Sequence, residues 1–310
     1  MDIKASRTLY MDYEGDTDTP TKDDFTIVIP TLNEEEAIGP VIEELLNEGF
    51  YDILMVDGYS SDNTVQIAQK YDINILTQHG KGKTGALKTA IEHVRKPYII
   101  IMDGDYTYPT EDIEKFIPHM PHYNEIIGAR SNGRGHIPAL NRLGNWVINK
   151  SFNLFFSASL TDVCSGLYAL NTQFARDLIL VTQGFDVEVE IAAQATKTGK
   201  ITEIPIRYRE RLGIQKLQPF RDGMKIMLTI FKWARILNPV VFFSFLLGLS
   251  LFPALLLLLW IAIEWFHGVW HSGLSLVAVL ITILANQAIT FSFLSSQQRK
   301  IEQQLNNNKK

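Results

Sequence analysis

The chain has a single cysteine, Cys164, among its 310 residues. One thiol closes no intrachain disulfide and builds no cysteine-based zinc site, so the fold needs no oxidising compartment. A basic excess is lacking as well. With 29 Lys and Arg against 34 Asp and Glu the formal net charge is −5, which argues against a general nucleic-acid binder. The N-terminal segment lacks the apolar core of a signal peptide. Residues 1–24 carry seven acidic and three basic residues and little periodicity, and read as a poorly ordered acidic lead or as a short cap on the domain that follows. His79, His93, His119, His122 and His136 show no metal-ligand spacing and read as loop or surface residues. Internal repeats are absent, and low complexity is confined to the Asn/Lys-rich tail.

Charge is missing altogether from one stretch. Val240 to Ile263 (VVFFSFLLGLSLFPALLLLLWIAI) is uncharged, and as a helix it spans about 36 Å, enough to cross a bilayer. A second, weaker run from Leu274 to Phe293 contains Asn286 and Gln287. Trp265 and Trp270 lie between the two, where interfacial aromatics belong. The pattern predicts a transmembrane hairpin over residues 239–294, followed by a tail at 295–310. Arg221, Lys225, Lys232 and Arg235 precede the hairpin, Arg299, Lys300, Lys309 and Lys310 follow it, and the connecting loop has no Lys or Arg. The positive-inside rule then sets the domain that precedes the hairpin and both termini on the cytoplasmic side. Residues 219–238 mix apolar side chains with those first four cations. They suit an amphipathic helix on the leaflet surface, or a soluble helix packed on the domain. The polar Asn286 and Gln287 would allow a homo-oligomer.

Residues 25–218 read as an α/β domain. Phe25–Pro30, Ile53–Val56, Ile73–Leu76 and Tyr98–Met102 are short strand-like runs rich in β-branched residues. Helical patterns separate them at Glu34–Asn47, Asp62–Tyr71 and Thr84–Val94. Such close alternation predicts a mostly parallel sheet with helices on both faces, and ligands at the carboxyl ends of its strands.

The polar clusters fall at those ends. Pro30-Thr31-Leu32-Asn33-Glu34 follows the first strand and also reads as a helix start. Asp57-Gly58 and the run to Thr64 follow the second; Asp62 suits a cap, whereas a strand-end carboxylate such as Asp57 can accept from a nucleobase or ribose hydroxyl. Asp103-Gly104-Asp105 follows the fourth. Two carboxylates at that spacing repel one another unless a cation intervenes, and hard oxygen ligands suit Mg²⁺ or Mn²⁺ shared with a diphosphate. Gly80-Lys81-Gly82-Lys83-Thr84 imitates a P-loop, but Thr77 stands where that pattern requires its first glycine. Lys81 or Lys83 is still available near a phosphate.

IPTLNE (29–34), VDGYSSDNT (56–64), GKGKTGALKTA (80–90), MDGDYTYPTED (102–112), IGARSNGRG (127–135), DVCSGLYAL (162–170) and GFDVEVE (184–190), in that order, resemble the family 2 glycosyltransferases of the GT-A type. Within them the chain is similar to the group of dolichyl-phosphate mannose synthases and polyprenyl-phosphate glycosyltransferases. The resemblance implies a GT-A nucleotide-sugar-binding domain in which Pro30, Leu32, Glu34, Val56 and Asp57 hold the nucleoside. It implies that Asp103, Gly104 and Asp105 serve the diphosphate and a divalent metal, with Thr107 as a poorer third metal ligand. An acid of the Glu188/Glu190 region would lie near the donor sugar. The sequence departs from the family at Gly58, where a second Asp is common, at Leu167-Tyr168 in place of Phe-Arg, and at Asn145, where the family has a serine near the acceptor phosphate.

The implied reaction moves a hexose from a nucleotide-sugar donor, GDP-mannose or UDP-glucose, onto a dolichyl or polyprenyl phosphate in the membrane, with inversion. The acceptor is already an anion, so no general base is needed. Bringing two anions together calls for cations. Arg130, Arg142 and Arg211 are candidates for the acceptor phosphate and Lys216 for a substrate phosphate, with Arg134, Arg207 and Arg209 nearby in sequence. Asp103, Asp105 and Arg130 form the expected catalytic set. A processive polysaccharide synthase is disfavoured, because Gln-x-x-Arg-Trp is absent. A tethered enzyme for a soluble acceptor and a non-catalytic sugar-nucleotide-binding scaffold are the remaining alternatives.

Overall fold

The computed structural model describes residues 19–132, 139–214, 216 and 218–307. Strict alternation in β1 (Phe25–Thr31) sets the layers: Phe25, Ile27 and Ile29 point into one core, and Val28 into another. The first core packs under α1 (Ile38–Asn47), the second under α3 (Gly82–His93). Between them runs a sheet of seven strands among the described residues. Besides β1 it contains β2 (Ile53–Asp57), β3 (Asn74–Thr77), β4 (Tyr98–Ile101), β5 (Glu125–Asn132), β6 (Tyr168–Asn171) and β7 (Ile201–Arg207), in the order β3-β2-β1-β4-β6-β5-β7.

The strands β3, β2, β1 and β4 are mutually parallel, as the alternation predicts. Strand β6 enters antiparallel between β4 and β5, and β7 returns parallel to β5. The register pairs Thr31 with Asp57 and Val28 with Ile101. The segments after β1, β2 and β4 therefore leave the sheet along one edge.

Two helices are shorter than their sequence patterns suggest. Helix α1 starts at Ile38 rather than near Glu34, because the preceding N–H groups bond across to the β2 loop: Asn33 to Ser60 Oγ, Glu34 to Thr64 Oγ1 and Glu35 to Asp62 Oδ2. Helix α2 covers only Thr64–Ala68, with Asp62 Oδ1 accepting from Thr64 N. The expected acidic lead, or short cap, lies mostly outside the described residues. Lys22–Asp24 form a 3-10 turn, and Asp24 Oδ2 accepts from both N and Oγ1 of Thr21.

A third core joins α4 (Ala139–Phe156), α6 (Val187–Thr198) and α7 (Pro219–Leu237); α5 (Thr172–Arg176) caps β6. One face of α7 is packed on the domain through Ile226, Ile230, Trp233 and Ala234, with Thr229 Oγ1 on Asp186 and Trp233 Nε1 on Glu190. Its other face exposes Phe220, Met224, Leu228 and Ile236. The helix is therefore packed on the domain along one face and exposes apolar side chains along the other. Asn238 separates it from α8 (Pro239–Phe266), which pairs with α9 (Ser272–Asn307). Pro239–Phe266 and Ser272–Phe291 are long and apolar enough to cross a membrane, and only 6% of each apolar window is buried within the chain. Helix α9 does not stop at residue 294. It continues through most of the expected tail.

Candidate active site

Two cavities open at the carboxyl edge of the sheet. The smaller, about 260 Å³, is bounded by Pro30, Leu32, Glu34, Gly58, Gly104 and Lys216, among others. The larger, about 520 Å³, runs from Asp103 and Asp105 past Tyr108, Arg130 and Glu188 to apolar side chains of α4 and α7, including Val147, Ile148, Phe220 and Met224. Lys83, Asp103, Asp105, Phe185 and Arg211 line both. The acidic pair is therefore the junction of the two spaces.

Each acid at the junction faces a protein cation. Lys83 Nζ lies 2.6 Å from Asp103 Oδ1 and 2.5 Å from Glu188 Oε1. Arg211 Nη1 lies 2.8 Å from Asp105 Oδ2, while its Nη2 reaches Glu34 Oε1 at 2.5 Å, and Lys216 also pairs with Glu34. Burial, and then repulsion from Asp103, pushes the Asp105 carboxyl above the usual aspartate range. Burial likewise raises Glu34 and Glu188, against the pull of their cationic partners. Burial alone would lower Lys83, but Asp103 and Glu188 outweigh it and hold the ammonium well above the ordinary lysine range. Glu34 Oε2, Glu188 Oε2 and Arg211 Nε are buried with no protein partner. Groups in that state await a ligand or water.

Backbone geometry makes room for this. A Cβ on Gly166 would overlap the Asp103 carboxylate, and one on Gly82, whose φ is +62°, would overlap the Gln183 carbonyl. Gly58 N donates to Thr31 O at 2.7 Å, closing the β1–β2 edge.

The structure brings together Pro30, Leu32, Glu34, Asp103, Gly104, Asp105, Arg211 and Lys216. It does not bring Val56 and Asp57 to either cavity. Val56 is in the core, and the Asp57 carboxylate accepts from the N–H groups of Tyr59 and Ser60. Thr107, expected as a third metal ligand, is buried, lines neither cavity, and gives its hydroxyl and N–H to Asp105 Oδ1 at 2.5 and 3.1 Å. Arg130 lines the larger cavity, yet its Nε and Nη2 both lie 2.6 Å from the buried Asp162 carboxylate. The expected first partner of the acceptor phosphate is thus held in a bidentate ion pair at the cavity wall. Arg142 is exposed on α4 and lines neither cavity. Arg207 and Arg209 pair with Asp112 and Glu44, and Arg134 lies outside the described residues.

Asn145 does line the larger cavity. Glu188 reaches the junction, whereas Glu190 is fully buried and accepts from the backbone of Val181 and Thr182 and from Trp233. Sequence reasoning missed Asp162, Tyr108 and Tyr208. Asp162 and Tyr108 do lie in the DVCSGLYAL and MDGDYTYPTED stretches, but no local pattern gives either of them, or Tyr208, a role beside Arg130.

A family model described as Glycosyl transferase family 2 matches residues 26–178. The chain is 34% identical over 284 residues to Glycosyltransferase AglJ of Haloferax volcanii, which covers 89% of this chain and 94% of that protein. It is 33% identical over 217 residues to the Dolichyl-phosphate hexose transferase of the same organism, covering 68% and 94%. Among solved structures, glucosyl-3-phosphoglycerate synthase from Mycobacterium tuberculosis, in complex with Mn²⁺, UDP-glucose and phosphoglyceric acid, aligns with a TM-score of 0.56 at 17% identity, over 68% of this chain and 79% of that one. That likeness is one of fold, the GT-A type. With the acidic pair at the strand edge and a relative matched over nearly its whole length, the chain belongs to glycosyl transferase family 2.

Proposed function

We propose that this protein transfers a hexose from a nucleotide sugar to a dolichyl or polyprenyl phosphate, with inversion, at the cytoplasmic face of a membrane. One observation carries the reading: the cavity that begins at Asp103 and Asp105 is walled on its far side by apolar side chains of α7, and α7 leads through Asn238 into the apolar helix α8. A phosphate headgroup can reach the acids while its isoprenoid chain stays with the apolar walls and the bilayer. The homologous dolichyl-phosphate hexose transferase supports the same acceptor class.

The donor's nucleoside diphosphate fits the smaller cavity. The unpartnered Glu34 Oε2 would accept a donor group of the nucleoside, and Lys216 and Arg211 would meet its phosphates. The residues also fit a divalent cation, Mg²⁺ or Mn²⁺. Asp103 and Asp105 are hard oxygen donors, Asp105 being raised by burial and then by repulsion from Asp103, and no group of three or more His, Cys, Asp or Glu is gathered among the described residues. The remaining ligands would come from the diphosphate, as is usual for Mg²⁺. When bound, such a cation supplies neutralisation of the leaving diphosphate. Arg211 lines both cavities and is the best-placed protein cation to face the acceptor phosphate once substrate charge competes for it. An acceptor that is already anionic attacks the anomeric carbon directly, which inverts it.

The test is transfer of radiolabelled sugar to a short polyprenyl phosphate by detergent-purified protein with Mn²⁺ or Mg²⁺. GDP-mannose and UDP-glucose run in parallel, with Asp105→Ala as the control. Labelled lipid from one donor, made only by the intact protein, is the expected result. Donor hydrolysis or transfer to a soluble sugar, with no lipid product, would reject the acceptor assignment.

A further inference from the structure

Lys83 belongs to a Gly-Lys segment whose resemblance to a phosphate loop fails on spacing, and the chemistry proposed above does not use it. Its environment is unusual for a lysine. The side chain is 10% exposed, it opens onto both cavities, and its ammonium touches two carboxylates, Asp103 and Glu188, at 2.6 and 2.5 Å. A lysine normally keeps its charge in water; one held in a cleft between two acids is there for those acids.

The two acids are not equivalent. Glu188 is 6% exposed, and its second oxygen has no partner; the Asp103 side chain is 30% exposed and faces the junction of the cavities. Lys83 therefore bridges Asp103 to Glu188, and Glu188 is the more buried of its two partners. Asp105 has three donors of its own: Thr107 N, Thr107 Oγ1 and Arg211. Asp103 accepts a hydrogen bond only from Lys83 among the described residues, and Gly166 bounds its other side. The lysine itself is set by the start of α3, where Gly82 leaves no room beside the Gln183 carbonyl.

We propose that Lys83 is a positioning residue that fixes the rotation of the Asp103 carboxylate for a divalent cation and is itself anchored by Glu188; this rests on the reading of Asp103 and Asp105 as the cation's ligands. Groups that orient a metal ligand from behind are worth roughly 10–100-fold in metal affinity. A role in binding the substrate phosphates directly is disfavoured, because the ammonium is already shared by two anions at close range.

The readout is Mn²⁺ binding to the detergent-purified full chain with GDP or UDP present, followed by electron paramagnetic resonance of the free ion, so that no turnover is needed. Asp103→Asn serves as the reference. Lys83→Met should raise the Mn²⁺ Kd by roughly 10–100-fold. Glu188→Gln should raise it severalfold, and the double variant should be no worse than Lys83→Met, since the anchor acts through the lysine. An unchanged Kd in Lys83→Met, with only a lowered Tm, would reduce Lys83 to a structural ion pair and overturn the proposal. Tighter Mn²⁺ binding would also overturn it, by showing that the ammonium competes with the cation. If Lys83→Met does not fold, Glu188→Gln decides, and an unchanged Kd there rejects the anchoring. Binding that survives Asp103→Asn would instead refute the ligand reading itself.

Discussion

The carboxylate of Asp103 lies against the bare Cα of Gly166, where an added methyl group would overlap it. Gly166 N is held at 2.7 Å from the Tyr108 hydroxyl, so the backbone has little freedom to retreat. The acid, 30% exposed, has the cavity to move into. Gly166→Ala should therefore rotate Asp103 away from Lys83 and lower kcat/KM by roughly 10–100-fold. Steady-state transfer assays beside thermal melts check this. A lowered Tm with intact activity would show that the backbone yields instead.

Thr107 gives both its hydroxyl and its N–H to Asp105 Oδ1, which makes it a support for that carboxylate. Thr107→Ser keeps the hydroxyl and should retain most activity. Thr107→Val removes it and should cost about tenfold in metal affinity and turnover. Equal losses in both variants, measured as Mn²⁺ affinity, would contradict the supporting role.

The Arg130–Asp162 pair is buried on both sides, at 10% and 8% side-chain exposure. Removing either partner leaves an uncompensated charge in the interior, which costs about 3–5 kcal/mol. Arg130→Met and Asp162→Ala should each be strongly destabilising in chemical denaturation, and by similar amounts. A substitution of Arg130 that only weakens acceptor binding, at full stability, would restore the role that its residue type suggests.

Glu125 is buried at the start of β5, with one oxygen unpartnered. Burial, and then repulsion from Glu188, raises its pKa well above the ordinary glutamate value. A carboxyl raised on folding stabilises the protein at low pH, and that stability is lost as the pH rises through the folded value. Glu125→Gln removes the penalty. The variant's Tm should exceed that of the parent at pH 8, and the gap should close as the pH falls towards 5, in melts recorded with chelator present. A lower Tm for Glu125→Gln at pH 8 would mean that the carboxylate has a partner in solution.

Much of the site was legible because it is local. Glu34, Asp103, Gly104 and Asp105 each follow a short strand directly, and parallel strands joined by helices bring such ends to one edge. The position of α8 and of the apolar part of α9 was legible from the loss of charge alone. Residue type misled where a distant partner decides the role. Arg130 has the chemistry of a phosphate binder, but Asp162, 32 residues further on, accepts from its backbone N–H and from two of its guanidinium nitrogens. Thr107 occupies a ligand's position in the motif, yet its buried hydroxyl is within reach of Asp105. Asp57 ends a strand as expected and turns its carboxylate into the following turn.

The amino-acid sequence by itself determined the parallel half of the sheet, the clusters at its edge and the apolar helical pair, since each depends on periodicity or composition within some twenty residues. The insertion of β6 antiparallel between β4 and β5, the cation that each acid faces and the meeting of two cavities at Asp103 and Asp105 were decided only by the tertiary structure. Those features depend on contacts such as Ile101 with Tyr168 and Lys83 with Glu188. No local pattern encodes them, because burial and charge pairing act between segments far apart in the chain.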